Sequence, residues 1–162
     1  GAGLYERFGK LDVLVGNAGV LGQMSPLTHT EPKFWQEAID VNLTANWRLI
    51  RSLDPLLRQS EAGRAIFVTS AAARGPRAYW GAYAVSKAAL EMLVGIYAQE
   101  SQQGKVRANL IDPGRTRTRM RASAYPGEDP NSLPAPESIT DAFVRLARAD
   151  FTGNGEVVQA QG

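Results

Sequence analysis

The chain has 162 residues, of which 44% are apolar and 21% charged, and a formal net charge of +2. That composition fits one globular domain, and the small charge gives no general attraction to nucleic acid. The absence of cysteine excludes disulfides, thiolate metal sites and cysteine nucleophiles.

No apolar run approaches a membrane span, and the first residues show no charged-then-apolar leader pattern. A cytoplasmic protein without membrane partners is therefore expected. In chain order, Gly1-Ala2-Gly3 leads into the amphipathic stretch Leu4 to Phe8, read as a helix end or a cloning remnant. Residues Leu11 to Val15 read as a buried strand stopped by Gly16-Asn17-Ala18-Gly19. The only histidine, His29, lies in the polar stretch Ser25 to Thr30. It suits a solvated loop better than a Ser-His-Asp hydrolase. A long helix is expected from Thr30-Glu31-Pro32 to about Gln59, with an early proline where the first turn tolerates it. Ala65 to Thr69 is the second strand and ends at Ser70. A loop with Gly75 and Pro76 leads to a helix from about Trp80 to Gln102. Val106 to Ile111 is the third strand, stopped at Asp112-Pro113-Gly114. Residues 115–136 are polar and rich in Arg and Pro, and are expected to form a mobile flap. A short helix over 137–149 and a last strand over 155–160 complete the chain. The alternation is that of an α/β fold with a parallel sheet.

Three of these strands end in a polar or glycine-bearing turn. Open parallel sheets bind ligands at the carboxyl ends of their strands, so Asn17, Ser70 and Pro113-Gly114 are expected to gather at one edge. Tyr83 and Lys87, four apart on a predicted helix, share a face. An ammonium beside a phenol favours the phenolate and lowers its pKa. A tyrosine that exchanges a proton near neutral pH is a general acid/base, and Ser70 is placed to hold the substrate oxygen. Taken alone, Tyr-x3-Lys also describes a half-buried helix tyrosine with a lysine stem over it; the clustered turns favour the chemical reading.

In order and spacing the motifs resemble the short-chain dehydrogenase/reductase family of the classical type. Gly16-Asn17-Ala18-Gly19 resembles its Asn-Asn-Ala-Gly turn, with Gly at the first position. Asp40-Val41-Asn42-Leu43 resembles its mid-helix asparagine motif. Ser70, Tyr83 and Lys87 match the Ser and Tyr-x3-Lys. Ile111 to Thr116 resembles its Pro-Gly segment with a downstream threonine. The resemblance implies a Rossmann-like doubly wound sheet and hydride exchange between NAD or NADP and a carbonyl or alcohol carbon. It implies a tetrad of Asn42, Ser70, Tyr83 and Lys87, with Tyr83 as acid/base, Lys87 lowering its pKa and holding the ribose, and Asn42 anchoring a water. Asn17, Ala18 and Gly19 would lie near the adenosine, and Pro113, Gly114 and Thr116 along the nicotinamide. Read from the residues alone, Asn42 also suits a helix kink, Asn17 a turn cap, Ser70 a strand-end hydroxyl and Thr116 an N-cap.

The family's glycine-rich pyrophosphate turn is not among these residues. The resemblance places their start just before the family's fourth strand, with a first half of roughly 80 residues preceding it. The expectation is a partial sheet of about four strands from a longer protein, binding dinucleotide weakly as these 162 residues alone. The end, Gln159-Ala160-Gln161-Gly162, departs from the acidic residue and paired glycines of the family, which bears on the C-terminal subunit contacts and the pocket floor. Arg74, Arg77, Arg115, Arg117, Arg119 and Arg121 form either a cationic rim drawing anionic substrates or a solvated basic face. Trp80, Tyr79 and Met120 either line an apolar pocket or pack the helix start. The helices over 30–59 and 80–102 resemble those that pair family subunits, so a homodimer or homotetramer is expected. Two other classes compete with this reading: a catalytically silent relative that senses dinucleotide or acts as a scaffold, which need not keep a complete tetrad, and a basic nucleic-acid module, for which the basic residues are too dispersed.

Overall fold

A computed structural model describes residues 1–161. Four strands form one sheet in the order β1 (Val13–Gly16), β2 (Arg64–Val68), β3 (Arg107–Asp112) and β4 (Val157–Gln159), and every pairing is parallel. Parallel neighbours cannot be joined by tight hairpins and need crossovers. Helices α2 (Pro32–Ile39) and α3 (Ala45–Leu57) connect β1 to β2, and α4 (Gly81–Glu100) connects β2 to β3. Helices α5 (Arg119–Ala124) and α6 (Thr140–Ala147) lie between β3 and β4, and α1 (Ala2–Phe8) precedes β1.

The central strands β2 and β3 are buried on both faces, and their side chains alternate between two cores. Ala65, Phe67, Ala108 and Leu110 point to the side of α3 and α4, where Leu53, Leu57, Leu90, Val94 and Tyr97 complete the larger core. Ile66 and Ile111 point to the other side, against Leu146 of α6 with Phe143, Phe151 and Val158 around it. Fully burying side chains such as Phe67, Leu57 and Leu90 contributes about 2 kcal/mol each. This is the expected α/β, doubly wound parallel sheet.

The predicted elements shift by a residue or two at most ends, and three segments gain detail. The first residues form a helix, Ala2–Phe8, closed by Gly9 in the left-handed conformation. The long helix over 30–59 is not continuous: Asp40–Thr44 forms a π-helical turn between α2 and α3. Such turns insert one residue into the helical ladder and recur at functional sites; here the turn carries Asn42. The polar segment 115–136 contains α5 and a short 3-10 turn, Pro130–Ser132.

A clasp at the amino-terminal end of the sheet had no sequence signal. Arg64, 4% exposed, donates through its guanidinium to the carbonyls of Gly63, Lys105, Arg148, Ala149 and Phe151 at 2.8–3.4 Å. All five of its N–H donors are used, which binds the turn after α6 to the starts of β2 and β3. No helix among the described residues is long and apolar enough to cross a membrane.

Candidate active site

Parallel pairing brings the carboxyl ends of all four strands to one edge, and a cleft of ≈ 630 Å³ opens there. Asn17, Ala18, Gly19, Ser70, Tyr83, Lys87, Pro113, Gly114 and Thr116 all line it. Asn42 does not.

Tyr83 and Lys87 lie one turn apart on α4, and both are buried, at 8% and 3% exposure. The Lys87 ammonium donates to the Val68 carbonyl at 2.8 Å and lies 5.9 Å from the Tyr83 ring centroid. Burial brings the Lys87 pKa down to about 8. Burial also raises that of Tyr83; the Ser70 hydroxyl works against this rise, and the Asp112 carboxylate adds to it. The expected lowering by Lys87 is therefore not what this arrangement gives. Desolvation of the phenolate outweighs it, and the ammonium is turned toward the strand end.

Ser70 follows β2 in an extended conformation and accepts a hydrogen bond from the Ala72 backbone at 3.3 Å, starting the turn over Ala71–Ala73. Asn42 sits behind Gly19. Its amide accepts from the Val20 N–H at 2.8 Å and donates to the Val20 carbonyl and the Ser86 hydroxyl, both at 2.9 Å. Its own carbonyl accepts from the Asn46 amide at 2.8 Å. The side chain thus holds the turn after β1 against α4. A Cβ on Gly19 would stand 3.3 Å from Asn42 Oδ1 and 3.4 Å from Lys87 Nζ, so the backbone passes close to both. At Gly16, where the family turn has asparagine, a Cβ would collide with the Asn46 amide and the Phe67 ring.

On the far wall, Gly114 needs its left-handed φ of 67° to bring the chain back over the cleft. Thr116, 6% exposed, donates to the Pro113 carbonyl at 3.0 Å. Gln161 then clasps the turn: its amide nitrogen contacts the Pro113 carbonyl at 2.8 Å, the Arg115 carbonyl at 3.1 Å and the Thr116 hydroxyl at 3.2 Å. The departure at the end of the sequence thus supplies a clasp for the pocket floor.

The arginines do not form a cationic rim. Arg74 pairs with Glu91 at 2.6 Å and with the buried Asp112. Glu91 also accepts from the Thr69 hydroxyl at 2.7 Å, and Asp112 from the Gly114 N–H at 3.0 Å. This network ties together the segments that carry Ser70, Lys87 and Gly114. Arg115, Arg117 and Arg119 are exposed and do not line the cleft. Trp80 and Met120 line the cleft, whereas Tyr79, with a φ of 73°, is exposed. His29 is exposed on a single 3-10 turn. Glu91 carries no motif, and the roles of Asp112, Arg74 and Gln161 come from partners distant in sequence.

The half of a dinucleotide site that these residues could supply is physically consistent. The Lys87 ammonium has three N–H donors, uses one on Val68 and lines the cleft between the Asn17–Gly19 and Pro113–Thr116 walls.

Residues 2–129 match the family model described as short chain dehydrogenase. The chain is 43% identical over 144 residues to YciK, an uncharacterized oxidoreductase of Escherichia coli strain K12, covering 89% of this chain and 57% of that protein. It is 36% identical over 123 residues to the benzil reductase ((S)-benzoin forming) IRC24 of Saccharomyces cerevisiae strain S288c, covering 73% of this chain and 47% of that one. The chain thus spans about half the length of these curated relatives. Its structure superposes on that of E. coli YciK with a TM-score of 0.95 at 40% identity, over 99% of this chain and 66% of that one. It superposes equally, with a TM-score of 0.95 at 40% identity over 99% and 67%, on a short chain dehydrogenase of E. coli CFT073 complexed with NADPH.

Proposed function

The chain belongs to the short chain dehydrogenase family, and from that premise we propose that the intact protein is an NAD(P)-dependent oxidoreductase interconverting a carbonyl and an alcohol. The observation that carries this reading is the convergence of Ser70, Tyr83 and Lys87 on one cleft at the carboxyl edge of the sheet. Asn17, Ala18 and Gly19 would hold the adenosine side of the cofactor, Lys87 its nicotinamide ribose, and Pro113, Gly114 and Thr116 its carboxamide. NADP is the form to test first, because similar structures are complexed with NADPH or NADP.

A bound nicotinamide supplies hydride to the carbonyl carbon or takes it from the alcohol carbon. The Tyr83 hydroxyl donates its proton to the substrate oxygen as negative charge develops there. The Ser70 hydroxyl hydrogen-bonds the same oxygen and stabilises that charge. Because burial raises the Tyr83 pKa, the phenol stays protonated at neutral pH and is ready for reduction. Alcohol oxidation needs the phenolate, so its rate climbs with pH. Asn42 acts at one remove, by holding the turn after β1 beside Lys87.

Two further features belong to this reading. Val85, Met92 and Ile96 form an exposed apolar stripe on α4, with Trp47 exposed on α3, which supports pairing of subunits through these helices; light scattering tests it. Among the described residues β1 pairs only with β2, which supports weak dinucleotide binding by the 162 residues alone; tight binding in titration calorimetry would overturn it. The function itself is tested by incubating the intact protein with NADPH and a panel of aldehydes and ketones and measuring alcohol formation. No product from any of them contradicts it.

A further inference from the structure

We propose that the cleft takes a neutral aryl aldehyde or ketone, and that the ion pair between Arg121 and Glu128 sets this preference by removing the one flap cation that reaches the cleft. The inference rests on the reading of the site as a carbonyl/alcohol oxidoreductase and names its substrate class.

The segment after Gly114 is crowded with arginines, which by composition alone would draw an anion. Its conformation reverses that. Thr116, Thr118 and Met120 line the cleft, whereas Arg115, Arg117 and Arg119 alternate with them and face solvent. Arg121 is the flap arginine that lines the cleft. Its Nε and Nη2 donate to the two carboxylate oxygens of Glu128 at 2.6 and 2.7 Å, a fork that matches a carboxylate. Its guanidinium also lies over the Tyr125 ring, 3.7 Å from the centroid.

Behind the lining, an aromatic cluster runs from there to Trp80 and Tyr83, the two rings of it that line the cleft. The Tyr125 ring stands 5.8 Å from that of Trp80, and Trp80 packs edge-on against Tyr83 at 5.7 Å. Leu21, Met120 and Ala124 complete the lining on this side. Lys87, the other cation of the lining, is tied to Val68 at the strand end. A carboxylate entering beside Trp80 would lose its water and meet an Arg121 charge already matched by Glu128. A flat apolar ring would find the Trp80 and Tyr83 rings in the lining, to which aromatic groups pack favourably.

The test uses the intact protein with NADPH and matched pairs, benzaldehyde against 4-carboxybenzaldehyde and acetophenone against 4-acetylbenzoate. The neutral member is expected to have the higher kcat/KM by about tenfold or more. Glu128→Gln frees the Arg121 charge and is expected to move the ratio about tenfold toward the carboxylate, an effect that weakens with salt. The double variant Arg121→Met with Glu128→Gln returns the preference to the neutral member, which separates a charge effect from a disturbed fold. Preference of the wild type for the carboxylates, or a ratio unmoved by Glu128→Gln, overturns the inference. The same pairs are titrated by tryptophan fluorescence, with Trp80→Phe removing the reporting ring. Neutral-selective quenching without turnover of either pair would uphold the substrate class while contradicting the proposed reaction; carboxylate-selective quenching would contradict the substrate class.

Discussion

Lys87 donates its 2.8 Å hydrogen bond to the carbonyl of Val68, the last residue of β2, which places a buried ammonium at the end of a central strand. Burial brings its pKa from the ordinary 10.5 down to about 8. Between these values the unfolded chain holds more protons than the native one, so stability rises with pH across that window. Wild type is therefore expected to gain on the order of 3 kcal/mol relative to Lys87→Met between pH 7 and 10.5 in urea unfolding. A constant offset between the two proteins over that range would show that the lysine is not desolvated.

Arg74 neutralises Asp112, and the Asp112 carboxylate raises the Tyr83 pKa. Removing the guanidinium in Arg74→Met leaves that carboxylate uncompensated and is expected to push Tyr83 further up. The pH profile of alcohol oxidation then moves to higher pH, with Arg74→Lys in between, and stability falls by about 2 kcal/mol. A drop in stability with an unmoved profile would leave Arg74 a purely structural role.

Arg64 is far from this chemistry. Its five donors hold five carbonyls, and lysine has only three donors and no fork. Arg64→Lys is expected to cost about 3 kcal/mol of unfolding free energy and leave kcat unchanged at temperatures where the variant is folded. Equal thermal midpoints for the two proteins would contradict the clasp.

These positions also show what could be read from the sequence. The strand ends, the helices and the cleft-lining residues from Asn17 to Thr116 were legible because each is set locally, by an apolar run closed by a turn or by a spacing on one helix face. Asn42 was legible as a motif residue, but its place behind Gly19, clasping Val20 and Ser86, depends on a π turn that has no sequence signature. The direction of the Tyr83 shift was misread because spacing shows that Lys87 is near but not that burial prevails. The arginines read as a group in the sequence, although the turn into α5 and three acidic partners, Glu91, Asp112 and Glu128, decide where the charges sit. Arg64, Asp112 and Gln161 act on groups tens of residues away, and no local pattern announces them.

Gln161 holds the Pro113–Thr116 turn from the far end of the chain. Gln161→Ala is expected to raise KM for NADPH about fivefold with a smaller effect on kcat. An unchanged KM would mean that Thr116 and its bond to Pro113 suffice to shape the turn.

The central claim is that Tyr83 transfers the proton in carbonyl reduction. It is tested most directly by comparing the intact protein with Tyr83→Phe in single turnovers of NADPH against a carbonyl that the wild type reduces. Phenylalanine keeps the ring packed against Trp80 and removes only the hydroxyl. The account expects cofactor binding to persist and the rate of alcohol formation to fall on the order of 1,000-fold. A variant that forms alcohol at the wild-type rate would contradict it.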